Sequence, residues 1–474
     1  MEKLLKIIEL VNDKLNAFAW GPIMLVLLVG TGIFLTVRTR CIQVTKFGWI
    51  MKNTVGKLFK KSGKDHGANL SPFQAVTTAL AGTVGTGNIA GVTGAIFIGG
   101  PGAVFWMWVS AFFGMCTKYA EIALALKFRS TDEKGVHKGG PMYYIENGLG
   151  KNWKWLAVIF AILGGLASFG IGNIAQSSEI AGAIVGLAGM AGINYDHLAL
   201  IVGIILAVVV AIVTLGGVKR IGQVTSLMVP FMAIFYIIAG IILIVMRISD
   251  VPAAFVSIFK SAFSFEAVGG GIFGYAMMVA MRQGVARGVF SNEAGLGSAP
   301  IAHAASSTEE PAEQAIWGVF EVFFDTIVIC TITGLAVVLS GIYTTPGGLD
   351  AFASKGAAAV AAFNSILPGT LGGILIQISL VFFALSTILS WSYYGERCWG
   401  YLSRNNKAVN VIYKVIFILV CVVGATGSGT LMWDISDTLN GLMALPNLVA
   451  LLLLSGTVAK ITKDYFRKSQ PQHL

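Results

Sequence analysis

Long apolar runs, parted by short polar or basic segments, recur along the whole chain. Eleven of them, near 20–37, 72–98, 103–127, 155–189, 197–216, 221–247, 267–289, 314–340, 370–395, 409–424 and 431–457, are read as membrane-spanning helices. About 20 apolar residues are needed to cross roughly 30 Å of hydrocarbon, and the longer runs predict tilt. One run breaks the pattern. Between Ser71 and Gly102 the centre reads Ala81-Gly82-Thr83-Val84-Gly85-Thr86-Gly87-Asn88-Ile89-Ala90-Gly91. Glycine costs a helix interior about 1 kcal/mol against alanine, and backbone groups freed by a break cannot be satisfied by lipid. Such a break persists where it lines a polar cavity. Discontinuous helices whose half-helix ends face a small solute and a cation are a feature of secondary transporters.

Setting the first run aside leaves ten, which divide as five and five. The interrupted run is then the first core helix, and its symmetry mate is the sixth, 267–289. That segment holds Gly269-Gly270-Gly271 and Gly274, so a second break is expected over 269–278. Glycine in membrane helices also serves close packing. Two glycine-dense runs at matched positions favour paired breaks around a midplane site. The expected divisions are an interfacial amphipathic helix at 1–19, with Leu4, Leu5, Ile8, Val11 and Leu15 on one face; an extra first span and basic loop at 20–70; halves at 71–247 and 248–460; and a tail at 461–474.

Composition agrees with a membrane class. The chain has 474 residues, 55% hydrophobic and only 12% charged, where soluble domains carry about 25%. The net charge of +10 gathers in alternate loops: Arg38 to Lys64, Lys127 to Lys154, Lys219 and Arg220, Arg397 to Lys414, and the tail. The basic side is read as cytoplasmic, with the N-terminus outside, the C-terminus inside, and the inner membrane of a prokaryotic cell as location. That asymmetry accounts for the charge without a nucleic-acid partner. Five scattered cysteines form no CxxC, and the five histidines are read as loop or tail residues, so no redox, haem or zinc site is expected. An embedded enzyme would need a nucleophile with its base, or a metal cluster, and none is legible.

Several segments carry a specific likeness. Gly99-Gly100-Pro101-Gly102-Ala103-Val104-Phe105-Trp106, Ser71-Pro72-Phe73-Gln74, the Gly85–Gly91 break, Arg287 through Ala304 (RGVFSNEAGLGSAPIAHA), Asp325-Thr326 and Trp391-Ser392-Tyr393-Tyr394-Gly395-Glu396 resemble the alanine or glycine:cation symporter family, the sodium:alanine symporters. The likeness runs in order over 15–460. It implies an all-α membrane protein of LeuT-type fold, a five-plus-five inverted repeat with one extra N-terminal helix. It also implies import of alanine or glycine with sodium, or in some members with protons. No cofactor beyond the coupling ion is implied, and the oligomeric state is open.

The residues suggest where ligands would sit. A helix N-terminus offers free N–H groups and about half a positive charge, so Thr83, Gly85, Thr86, Gly87 and Asn88 are expected to hold a substrate carboxylate. Unwound carbonyls near Phe273, Gly274 and Met277 are expected to take the ammonium. Phe169, Asn173 and Gln176 share a helical face and are expected on the cavity wall, with Trp391 as a further aromatic. Carried over from the LeuT-type resemblance, carbonyls of Ala81, Val84 and Phe383 and hydroxyls of Ser386 and Thr387 would bind one sodium. The competing reading is that such hydroxyls bond back to the preceding turn. Among charges within spans, Lys118 and Glu121 are expected to neutralise each other. Asp325 is read as a coupling carboxylate or a partner of Arg282. Arg287 and Glu293 are expected at the cytoplasmic end of the sixth core helix.

Overall fold

The computed structural model describes residues 2–57, 67, 69–263, 272–427 and 430–469. Gly269–Gly271, where glycine density predicts the second break, lie outside them, as do Lys60, Lys61 and Lys64 of the basic loop. The described chain is almost entirely helical. In order come α1 (Glu2–Ala19), α2 (Pro22–Arg38), the short α3 (Ile42–Thr45) and α4 (Phe47–Asn53), then α5 (Pro72–Thr83), α6 (Val92–Gly99) and α7 (Gly102–Lys127). A two-stranded hairpin at Ser130–Thr131 and His137–Lys138 leads to α8 (Pro141–Tyr144), α9 (Lys154–Phe169), α10 (Ala175–Met190), α11 (Leu198–Thr214) and α12 (Gly217–Met246). The second part holds α13 (Val251–Ala262), α14 (Ile272–Asn292), α15 (Ala299–Ala304), α16 (Pro311–Val322), α17 (Thr331–Ser340) and α18 (Lys355–Asn364). It closes with α19 (Leu371–Leu402), α20 (Lys407–Thr426), α21 (Thr430–Leu453) and α22 (Ser455–Ser469).

Among the described residues eight helices are long and apolar enough to cross a membrane, or nine when the bent pair Pro72–Thr83 and Gly87–Gly99 is one span. The expected eleven needs α11 and α14 in addition; α11 is apolar but only 17 residues long. Hydropathy and length therefore do not establish that count.

The first expected break is present. Helix α5 begins at a capping box, with Ser71 accepting from the Gln74 N–H and Gln74 returning the bond, a pairing that satisfies two orphan donors. It ends at Thr83, the chain bends by 44°, and a π-helical turn at Gly87–Gly91 leads into α6. Over the described part of the window where glycine density placed the second break, residues 272–278, the chain is helical, and the unwound segment comes further on. Helix α14 runs unbroken from Ile272 to Asn292, and the chain unwinds only then, with φ of 57° at Glu293, 94° at Gly295 and 82° at Gly297. There the backbone conformation itself demands glycine. α15 then resumes.

The two interrupted helices lie alongside each other. A Cβ built on Gly87 would lie 3.1 Å from the Phe290 ring, and one on Gly99 would lie 3.0 Å from the Ala280 Cα. Phe273, Gly274 and Met277 therefore extend beyond the far end of α6, with their carbonyls in an ordinary helical ladder. Met277 is about 24 Å of helix from Glu293 at 1.5 Å per residue. The expectation that these three supply ammonium acceptors is corrected accordingly.

Candidate functional site

The two breaks enclose a small cavity at the centre of the helix bundle. Gly82, Thr83, Gly85 and Gly87 line it from the first break, and Phe290 and Glu293 from the second. Ile171 and Gln176, Thr387 and Trp391, and Asn440 complete the wall from three further helices. Of the residues singled out from sequence, the structure thus brings together Thr83, Gly85, Gly87, Gln176, Thr387 and Trp391. Thr86 lies between two of them, buried, with its hydroxyl unpartnered among the described residues.

Asn88 is turned elsewhere. Its side-chain oxygen accepts the Gly85 N–H at 2.8 Å, and its amide donates to Asp325 Oδ1 at 2.6 Å. The Gly85 N–H is consequently already committed. The first-turn N–H groups that a helix leaves without internal partners are the next two along the chain, at Thr86 and Gly87.

Phe169 and Asn173 do not reach the cavity. The Phe169 ring packs on Tyr413 at 5.2 Å and near Phe417 at 6.1 Å. Asn173 donates to the Phe417 carbonyl at 2.6 Å and accepts from Ser177 at 3.0 Å. The cause is a π-helical stretch at Gly170–Ile174. One extra residue per turn rotates the helix downstream of it, so Gln176 turns inward while Phe169 and Asn173 face α20. The Gln176 amide donates to the Ile171 carbonyl at 3.1 Å, leaving its Oε1 buried without a partner. Phe290, and not Phe169, is the second aromatic of the wall.

Of the proposed cation ligands, Thr387 joins α19 to the first break. Thr387 Oγ1 donates to the Ala81 carbonyl at 3.1 Å across the interface, and to Phe383 at 3.0 Å within its own helix. Ser386 Oγ donates to the Phe383 carbonyl at 2.8 Å. Val84, the residue closing α5, is fully buried. This donor set is hard oxygen throughout, the chemistry an alkali or alkaline-earth ion prefers. Among the described residues no group of three or more His, Cys, Asp or Glu could hold a metal, so a cation here would rest on carbonyls and hydroxyls.

Charges within the spans hold the second break in shape. Lys118 on α7 is fully buried, and its ammonium caps the end of α14 by donating to the Asn292 carbonyl at 2.8 Å. Three residues on, Glu121 Oε1 accepts the Gly295 and Gly297 N–H groups at 3.1 Å each, and the Asn447 amide at 2.5 Å. Tyr144 in turn bonds to Asn447. Besides the charge that Lys118 sets beside Glu121, the two residues make contacts that grip the unwound segment. Lys118 is the positive charge whose field reaches Glu121, Glu293 and Asp325. Lys118→Met should therefore lower the stability of the purified protein by about 3–5 kcal/mol, the usual cost of removing one partner from buried charges. Thermal unfolding in detergent measures this; an unchanged Tm would show that the cap carries no weight.

Asp325 accepts from Asn88, from Ser291 at 2.9 Å and from Thr326 at 2.8 Å. Arg282 instead donates to the Trp20 carbonyl, so the expected pairing of these two is absent. Arg287 lies within α14, five residues before its last residue, Asn292. It lies on the far side of Phe290 from the break and grips both Asp437 oxygens, at 3.1 and 3.2 Å, while stacking on the Phe290 ring at 5.3 Å. Glu293 takes no part in that pair and bonds instead to Trp391 and Ser298. His303, expected in a loop, is buried in α15 between Glu321 and Gln314. Phe290 and Asn440 line the cavity without having been singled out from sequence, and Glu293, read there only as a residue at the end of its helix, is part of the wall. The Asn292–Ser298 run has the same glycine-plus-polar texture as Gly85–Gly91, which was the available signal; Asn440 carried none.

Residues 5–473 match the profile of the sodium:alanine symporter family. The sodium/alanine symporter AgcS of Methanococcus maripaludis is 49% identical over 98% of this chain and 99% of its own length. A Bacillus subtilis protein provisionally named sodium/proton-dependent alanine carrier protein YrbD is 37% identical over 96% and 92%. Among solved structures, MhsT in complex with L-phenylalanine superimposes with a TM-score of 0.56 at 14% identity, covering 82% of this chain and 97% of that one. This likeness places the chain among LeuT-type folds. With two interrupted helices enclosing a polar cavity, and with a match along almost the entire length, the chain belongs to the sodium:alanine symporter family, a family of transporters and not of enzymes.

Proposed function

We propose that this protein imports alanine, glycine or both, coupled to sodium, by alternating access between two halves at 71–247 and 248–460. The observation that carries the reading is the meeting of Thr387 with the Ala81 carbonyl beside the first break. It would, in this reading, set an all-oxygen cation site against the half-helix end that receives a carboxylate. In this reading Thr86 and Gly87 N–H groups hold the substrate carboxylate, and Ala81, Val84, Phe383, Ser386 and Thr387 hold sodium. Gln176 completes the polar shell, and Phe290 and Trp391 bound the side-chain space. Glycines at 85 and 87 bring the walls in, so only a small side chain fits. The distribution of basic loops supports an outside N-terminus and a cytoplasmic C-terminus in a prokaryotic inner membrane.

Uptake into proteoliposomes with and without an inward sodium gradient tests this. Alanine should accumulate with the gradient and stop without it, and leucine should compete far less well than alanine. Equal competition by leucine would refute the small-pocket reading. Proton coupling is a second reading, favoured by Asp325, a buried carboxylate whose partners are all uncharged. Accumulation driven by a pH gradient in sodium-free buffer would select it.

A further inference from the structure

We infer that the Glu293 carboxylate is the counter-charge for the substrate's ammonium group and thereby selects ligands with a protonated amine. The inference rests on the amino-acid reading above and assigns one residue of that site.

Glu293 is 3% exposed and lies on the cavity wall. Its backbone is left-handed, with φ of 57°, a conformation that costs a non-glycine residue on the order of 1–3 kcal/mol and concentrates at functional sites. The side chain is held at both oxygens. Oε1 accepts from Trp391 Nε1 at 3.0 Å, and Oε2 from Ser298 Oγ at 2.6 Å. A carboxylate has about four acceptor positions, so capacity remains. Among the described residues no lysine or arginine reaches it at ion-pair distance. Lys118, the basic group acting on it, is engaged with the Asn292 carbonyl. A buried carboxylate without a cation costs several kcal/mol, a cost that a cationic ligand would offset.

The rest of the wall fits the same group. Gln176 Oε1 and Asn440 Oδ1 are buried acceptors without partners, and both residues line the cavity with Glu293. An ammonium has three donors and no acceptor. Three acceptors face the cavity, one of them charged. The half-helix N-terminus at Thr86 and Gly87 supplies the opposite sign. A zwitterion is the ligand whose two charges match both walls. Asp325 cannot take this part: its oxygens accept from Asn88, Ser291 and Thr326, and it lies off the cavity wall.

The test compares alanine with lactate, which replaces the ammonium by a hydroxyl, in the purified protein and in the Glu293→Gln and Glu293→Asp variants. Glutamine keeps the volume and an acceptor for Trp391 but loses the charge. In the unsubstituted protein alanine should bind at least 100-fold more tightly than lactate. In Glu293→Gln alanine affinity should fall about 100-fold and the alanine-to-lactate ratio should shrink below 10, while sodium binding without substrate stays unchanged. Glu293→Asp should keep the ratio. Alanine affinity within threefold of normal in Glu293→Gln, or a shift in the sodium titration with the ratio intact, would overturn the inference. Should Glu293→Gln fail to fold, lactate competing as well as alanine on the unsubstituted protein would overturn it too. Sodium-driven alanine uptake by the unsubstituted protein is scored separately, so its failure removes the amino-acid reading and not merely the role of Glu293.

Discussion

Gly85→Val should abolish substrate uptake while leaving a folded, membrane-inserted protein. A Cβ at position 85 would lie 2.4 Å from Thr387 Oγ1, closer than real Cβ contacts come, so valine must displace the Thr387 side chain from its contact with the Ala81 carbonyl. Overpacking of this kind costs about 1–3 kcal/mol, which a large membrane bundle can absorb. The Thr387–Ala81 contact cannot. Uptake should fall by at least 100-fold with little change in the size-exclusion profile in detergent. Gly91 is the control, because a Cβ there meets nothing within 4 Å. Gly91→Ala should transport normally. If Gly85→Val retains near-normal uptake, the close approach at the first break is not part of the working site.

The double substitution Ser386→Ala and Thr387→Ala should raise the sodium concentration for half-maximal binding by tenfold or more. Each hydroxyl would contribute one oxygen, and the remaining carbonyls of Ala81, Val84 and Phe383 would leave the site underfilled. The fold should change little, since alanine is an excellent helix former and the lost bonds run mainly to the Phe383 carbonyl within the same helix. Substrate affinity at fixed sodium should fall by the factor with which substrate improves sodium binding, because coupling is reciprocal. Titrating each ligand at a fixed level of the other reads that factor from both sides. An unchanged sodium titration would sink the assignment and leave Asp325 as the better candidate for ion coupling.

Both predictions rest on a first break that glycine density revealed correctly. Gly85, Gly87 and Gly91 stand among threonines and an asparagine at membrane depth, and no continuous helix explains that texture. In the second half the same rule pointed to 269–278, of which 272–278 are described and are helical. It passed over Asn292–Ser298, where the described chain does unwind, while α14 is continuous from Ile272 to Asn292. Glycine count measures where a backbone could bend. Where it does bend is set by what compensates the freed groups, and here Lys118 and Glu121 on α7 supply the cap and the acceptor. Those partners are more than 170 residues distant in sequence, so no local pattern contains them.

The sequence by itself determined the membrane class, the family, the first break and the hydroxyl pair on α19. These follow from hydropathy, glycine texture and motif order, all properties of contiguous residues. Tertiary structure alone decided which side chains face the cavity. A π-helical stretch at Gly170–Ile174 separates Gln176 from Phe169 and Asn173, although simple periodicity puts all three on one face. Arg287 finds Asp437 150 residues away, and Glu293 reaches Trp391 because an unwound turn aims it there. Orientation at a break is fixed by packing against distant helices, and periodicity carries no information once the helix that defines it has ended.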